Sequence, residues 1–137
     1  MNDRQAIEDL LEELYAARVR GDLDALAKLF ASHATFQVAG SDQASPMPTL
    51  VKGHAGIMSL MQGMIATFEL SEFAILEMLI DGASAAIRWQ ATIHYTGTGQ
   101  IFSSELADFI TTHNGQVVCF VEFLDTALAA KVTSKKS

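Results

Sequence analysis

Residues 116–125, QVVCFVEFLD, constrain the fold of this chain more than any other stretch. Both alternating sets of positions are apolar, so the segment reads as a strand covered on both faces. One carboxylate, Glu122, interrupts the pattern. Such a strand calls for a sheet with helices on one side and a second layer, such as another subunit, on the other.

The preceding chain supplies the helices. Asn2 and Gln5 have the spacing of a capping box. Ile7, Leu10, Leu11, Leu14, Tyr15 and Arg18 then recur at helical intervals along one face. Gly21 ends this helix, and Asp22 caps a shorter one with Leu23, Leu26, Leu29 and Phe30 on one side. Residues 35–38 read as a short strand and residues 40–48 as a polar, proline-containing loop. Gly53 opens a third helix, with Ile57, Leu60, Met61, Met64, Ile65 and Phe68 on its inner face. From Glu69 onward the pattern is β. Asp81-Gly82, the TGTG run at 96–99 and Asn114-Gly115 divide it into strands near 70–80, 84–95, 101–113 and 116–125. Helices followed by an antiparallel meander predict an α+β domain spanning residues 1–137.

Half of the 137 residues are hydrophobic and only 18% are charged, which is rich for a small soluble monomer. A homodimer is therefore expected, formed through the outer row Cys119, Val121 and Phe123. A net charge of −7 argues against nucleic-acid partners and anionic membrane surfaces. No run approaches the roughly 20 apolar residues of a membrane span, and the N-terminus has no signal-peptide pattern, so a cytoplasmic location is expected. Cys119 is the sole cysteine and reads as a buried thiol. His33, His54, His94 and His113 have no metal-ligand spacing, and there is no phosphate-binding or dinucleotide fingerprint. Neither a metal nor a cofactor is expected.

A two-residue turn at Asn114-Gly115 pairs His113 with Gln116. Counting away from it sets Phe109 opposite Phe120, Ala107 opposite Glu122 and Glu105 opposite Leu124, all on the inner face. The strand before them alternates Trp89, Ala91, Ile93 and Tyr95 with Arg88, Gln90, Thr92 and His94. A four-residue TGTG loop would align Arg88 with Ala107, whereas an odd loop or a bulge would align Trp89 there. A slip of one residue exchanges the faces. Trp89 inward is preferred, because apolar faces go to the core.

ARVRGDLDALAKLFASHATF, DGASAAIRWQATIHYTGTGQ and NGQVVCFVEFLDTAL resemble the nuclear-transport-factor-2-like superfamily, in particular its SnoaL-like and ketosteroid-isomerase-like branch. The resemblance implies a cone: a curved antiparallel sheet wrapped around three N-terminal helices, with a pocket at the open end and frequent dimerisation. Steroid isomerases carry a tyrosine on the first helix, a base after the second and an acid on the penultimate strand. Aligned through Gly21-Asp22, those positions are Leu14, Val38 and Ala107, which argues against steroid isomerase activity. Tyr15 and Asp108 lie one step away. Limonene-epoxide-hydrolase relatives use an arginine, an aspartate and a further aspartate; the approximate matches here are Arg88, Gln90 and Glu122. A glutamine cannot serve as a general base, so that machinery is incomplete.

Glu122 is the leading catalytic candidate. Desolvation between Phe120 and Leu124 would suit it to general acid or base work; the competing reading is a structural carboxylate held by Arg88, Trp89 or Tyr15. Tyr15 and Arg88 are the accompanying catalytic candidates. The expected ligand-binding surface comprises Tyr15, Phe36, Met61, Met64, Trp89, Glu105, Phe109, Phe120 and Leu124. The expected ligand is a small, apolar, oxygenated molecule, bound for cofactor-free isomerisation, cyclisation, dehydration or epoxide opening; the alternative is a non-catalytic dimeric module that binds such a ligand or only supports assembly.

Overall fold

The computed structural model describes residues 3–40 and 49–134, so the capping role of Asn2 and most of the 40–48 loop lie outside the described residues. The first helix, α1 (Asp3–Arg20), is followed by α2 (Leu23–Leu29), β1 (Phe30–Val38) and β2 (Thr49–Lys52). Then come α3 (His54–Thr67) and four long strands: β3 (Phe68–Asp81), β4 (Ser84–Tyr95), β5 (Gln100–His113) and β6 (Gln116–Phe123). A terminal helix, α4 (Thr126–Ser134), closes the order.

Local chemistry sets these boundaries. Gly21 adopts φ +71°, a conformation that favours glycine, and a Cβ there would sit a tight 3.2 Å from Ile65 Cγ2. The Asp22 carboxylate accepts from the Ala25 N–H at 3.0 Å and caps α2. Asn114 and Gly115 both have positive φ, as the turn between His113 and Gln116 requires. The β3–β4 turn is centred on Gly82 and Ala83, one residue later than Asp81-Gly82, because Asp81 pairs with Ser84. Asp125 Oδ1 accepts from Leu128 N–H at 2.9 Å and starts α4.

The sheet is a curved, unclosed α+β cone wall of six strands, ordered β2-β1-β6-β5-β4-β3. Neighbours run antiparallel except β1 and β6, which are parallel. The edge strand β2 and this parallel contact are additions to the expected meander. Leu11, Leu14 and Tyr15 of α1 and Ile57 and Met61 of α3 pack on Trp89, Ile110 and Phe120 of the sheet. Tyr15, Phe73 and Trp89 form one aromatic group, with centroids 5.3–5.9 Å apart; Phe36 stacks on Phe120 at 4.6 Å. Each such side chain contributes on the order of 1.5–3 kcal/mol by burial.

One irregularity decides the site. Thr112 pairs with Val117, but Thr111 pairs with Cys119, so Val118 is an extra residue in β6. Beyond this bulge every partner moves by one: Ile110 faces Phe120, Asp108 faces Glu122 and Ala107 faces Phe123. Glu105, Ala107 and Phe109 consequently belong to the outer face, while Leu106, Asp108 and Ile110 turn inward. The TGTG turn is a four-residue loop that aligns Arg88 with Ala107 and Trp89 with Leu106. Trp89 is inward, as preferred, for a different reason from the one expected: the bulge has already turned Ala107 outward. Cys119 is half-buried rather than buried.

Candidate functional site

Two residues of α1, Tyr15 and Arg18, lie one helical turn apart and project from the same face onto the sheet. Beneath them, β4 supplies Trp89, β5 supplies Asp108 and β6 supplies Glu122. All three are sealed from solvent, with Trp89 and Glu122 each 1% exposed.

Arg18 grips Glu122 with a fork: Nη1 donates to Oε2 at 2.7 Å and Nη2 to Oε1 at 3.3 Å. The guanidinium carbon also sits 5.3 Å from the Trp89 ring centroid, within cation–π range. Behind this pair, Trp89 Nε1 donates to Asp108 Oδ2 at 2.7 Å, and the Tyr15 hydroxyl donates to the same oxygen. Among the described residues Asp108 Oδ1 has no hydrogen-bond partner.

The electrostatics follow from one cation among several acids. Burial, reinforced by the Glu122 charge, pushes the Asp108 carboxyl well above the usual aspartate range; Arg18 and the Tyr15 hydrogen bond pull the other way and lose. Burial and the adjacent Asp108 likewise push the Tyr15 hydroxyl well above 10. For Arg18, burial alone would favour the neutral form, but the charge and hydrogen bonds of Glu122, with Asp108, outweigh it and hold the guanidinium charged.

Arg18, Trp89 and Glu122 form one end of a cavity of about 70 Å³. The rest of its wall is Phe68, Leu70, Ile93, Phe102, Leu106 and Leu124, with Ser104 and Asp125 as further polar members. Leu128 and Ala129 of α4 cover it. An apolar chamber with a few convergent polar groups is the usual form of a small-molecule site. Among the described residues no group of three or more histidine, cysteine, aspartate or glutamate side chains could hold a metal ion.

Of the residues expected at the site, Glu122, Trp89 and Leu124 line this cavity. Tyr15 stands one layer behind it, on Asp108. Phe36, Met61 and Phe120 are buried in the neighbouring core, and Met64 packs against it, all off the cavity wall. Arg88, Glu105 and Phe109 are on the opposite face of the sheet. Arg88 pairs there with Glu105 at 2.9 Å and Glu77 at 3.6 Å, and Phe109 is 53% exposed. The bulge at Val118 explains Glu105 and Phe109; strict alternation with Trp89 explains Arg88. The cation that meets Glu122 is Arg18. Its position on the apolar stripe of α1 was the available signal, since a charge on such a stripe needs a buried partner. Asp108 has a fainter signal, a lone acid between Leu106 and Ile110 in β5.

The steroid-isomerase comparison changes in the same way. Tyr15 and Asp108, one step from the aligned positions, are the residues that meet in the core. Val38 and Ala39 are both buried and apolar where the base would stand.

A SnoaL-like domain model matches residues 11–120. Among solved structures, a Bacillus subtilis protein provisionally assigned as an isomerase superposes with a TM-score of 0.84 at 20% identity, covering 98% of each chain. A polyketide cyclase candidate from Xanthomonas campestris pv. campestris gives 0.79 at 18% identity, over 97% of this chain and 100% of that one. A ketosteroid-isomerase-like protein from Catenulispora acidiphila DSM 44928, in complex with trimethylamine, gives 0.71 at 18% identity, over 88% and 90%. No curated protein sequence matches the chain.

Proposed function

The chain belongs to the SnoaL-like family, and from that premise we propose that it binds a small, largely apolar, oxygenated molecule in the cavity beneath α4 and that Glu122 moves a proton on it without a cofactor. The observation that carries this reading is the Arg18–Glu122 pair at one end of an otherwise mainly apolar wall. Arg18 retains N–H donors beyond the two given to Glu122, and these can hold a carbonyl, hydroxyl or epoxide oxygen. A fixed cation next to an oxygen that gains negative charge stabilises the transition state in a water-poor site. Glu122 beside it is placed to act as general base or acid. Isomerisation, cyclisation, dehydration and epoxide opening all fit that arrangement. Steroid isomerisation does not, because Val38 and Ala39 occupy the place of the base.

The size of the chamber narrows the occupant. At about 70 Å³ it accommodates only a few heavy atoms, well below the roughly 300 Å³ at which drug-sized ligand pockets begin. The trimethylamine bound by the Catenulispora protein is a ligand of that scale.

Trp89 is the sole tryptophan and lines the cavity, so its fluorescence reports occupancy. Small ketones, epoxides and hydroxy compounds should change that emission saturably, and Ile93→Phe, which fills the chamber, should abolish the response. No response from any compound, or the same response in Ile93→Phe, would refute the reading.

A second reading, a binding module without turnover, is favoured by the fork itself: both Glu122 oxygens are already engaged by Arg18. The two readings part on whether a bound compound is chemically changed. We also propose that two copies pair through the outer sheet face, where Phe109 and Phe123 stand 53% and 47% exposed, in edge contact at 5.7 Å.

A further inference from the structure

Behind the cavity wall lies a carboxyl that the proposed reaction does not use. Asp108 is fully buried and is the direct cross-strand partner of Glu122. Tyr15 and Trp89 both donate to Oδ2, and Oδ1 has no partner among the described residues. The charged and titratable groups around it come from two elements: Tyr15 and Arg18 on α1, and Glu122 on β6. From β4 it meets the uncharged indole of Trp89. Arg18 is the one cation of this group, and both Glu122 oxygens engage it. Two carboxyls thus share one positive charge where water does not reach.

We propose that the Asp108–Glu122 pair holds a single proton, seated on Asp108 Oδ1, and that Glu122 is the ionised member facing the cavity. Oδ2 already accepts two hydrogen bonds, so the vacant oxygen takes the proton. A protonated Oδ1 becomes a donor, and the Glu122 carboxylate across the strand pair is the acceptor it lacks. The orphaned atom is then satisfied, as buried polar atoms ordinarily are. Burial and the Glu122 charge drive Asp108 in the same direction, and a hydrogen bond between the two carboxyls, which requires one of them protonated, adds to it.

The proton also fixes the charge of the site. Arg18 and Glu122 cancel and Asp108 is neutral, so the buried polar part of the chamber carries no net charge and suits a neutral group; Asp125, the further acid of the wall, is exposed. A charged group seated against that buried pair would be uncompensated there, which is costly in such surroundings. The location of the proton is independent of the proposed reaction; its role in turnover rests on that reading. In turnover Asp108 is a positioning residue, acting on the ligand only through Glu122.

Carboxyl carbon-13 NMR of the ligand-free full chain, with resonances assigned through the backbone, decides the matter. At pH 7 the Asp108 carbon should sit at the protonated position and the Glu122 carbon at the ionised one. Asp108 ionised, or the proton found on Glu122, would overturn the proposal. Asp108→Asn, which mimics the neutral acid, should leave the Glu122 carbon ionised. A protonated Glu122 in that variant would also overturn it. Should the variant not fold, the wild-type spectrum decides alone. No ligand is present, so a failure here is distinct from a failure of the cavity to bind one.

Discussion

Asp108 and Glu122 face one another across β5 and β6, yet only Glu122 has an arginine. Equal in chemistry and nearly equal in burial, they differ through one residue of α1. Removing Arg18 should therefore do more than break a bond. Arg18→Leu leaves two buried carboxyls with no cation, and a cost of roughly 3–5 kcal/mol is expected from the behaviour of half-broken buried pairs. Glu122→Gln strands the guanidinium and should cost a similar amount. Arg18→Leu combined with Glu122→Gln should cost clearly less than the sum of the two single changes. Urea unfolding of the four proteins measures this; additive costs would mean that the pair is not coupled.

The raised Asp108 carboxyl makes a signed prediction for pH. Unfolded, it titrates near 3.9; folded, it holds its proton to higher pH. Its contribution is fully present below the unfolded value and is lost as pH rises toward the folded one. Relative to Asp108→Asn, the wild type should lose stability from about pH 4 upward. Paired denaturation midpoints from pH 4 to 8 check the slope, and the difference between the proteins cancels the surface carboxylates they share.

Tyr15 and Trp89 both spend their polar hydrogens on Asp108 Oδ2. Tyr15→Phe removes one donor, leaves the acceptor served by the indole, and should cost about 1 kcal/mol. Asp108→Ala leaves two buried donors unserved and should cost roughly 3 kcal/mol or more. Thermal unfolding should rank the two in that order.

On the outer face, Phe123→Lys should convert a dimer to a monomer without unfolding it, because Phe123 packs only against the exposed Phe109 among the aromatic contacts. Light scattering at micromolar concentration gives the mass. A monomeric wild type would remove the proposed role of this face, for which an interface of about 1,600 Å² would be ordinary.

Much of this architecture was legible from periodicity. Asp22, Gly53, Asn114 and Gly115 carry their own backbone signals, and the four strands of the meander fell within two residues of the expected limits, whereas β1 begins at Phe30, well before the expected strand at 35–38, and β2 was not expected. The site was less legible because one inserted residue, Val118, changes which side chains of β5 face β6. Val117, Val118 and Cys119 are all compatible with either face, so nothing in their chemistry marks the bulge. Phe109, apolar and yet outward, made the wrong register look well packed. Trp89 was placed inward because a tryptophan flanked by Arg88 and Gln90 has one apolar direction available. Pairing Glu122 with Arg18 required the distance between α1 and β6, 104 residues apart in sequence, which no local pattern carries.

Proton movement by Glu122 is tested most directly by NMR in heavy water. Each compound that changes Trp89 emission is incubated with the wild type and with Glu122→Gln, at a temperature where both are folded, while carbon-bound protons and products are followed. The expected result is deuterium exchange or product formation with the wild type and none with Glu122→Gln, although the compound still changes Trp89 emission in both. Equal exchange in both proteins, or binding without any chemical change in the wild type, would contradict a catalytic Glu122.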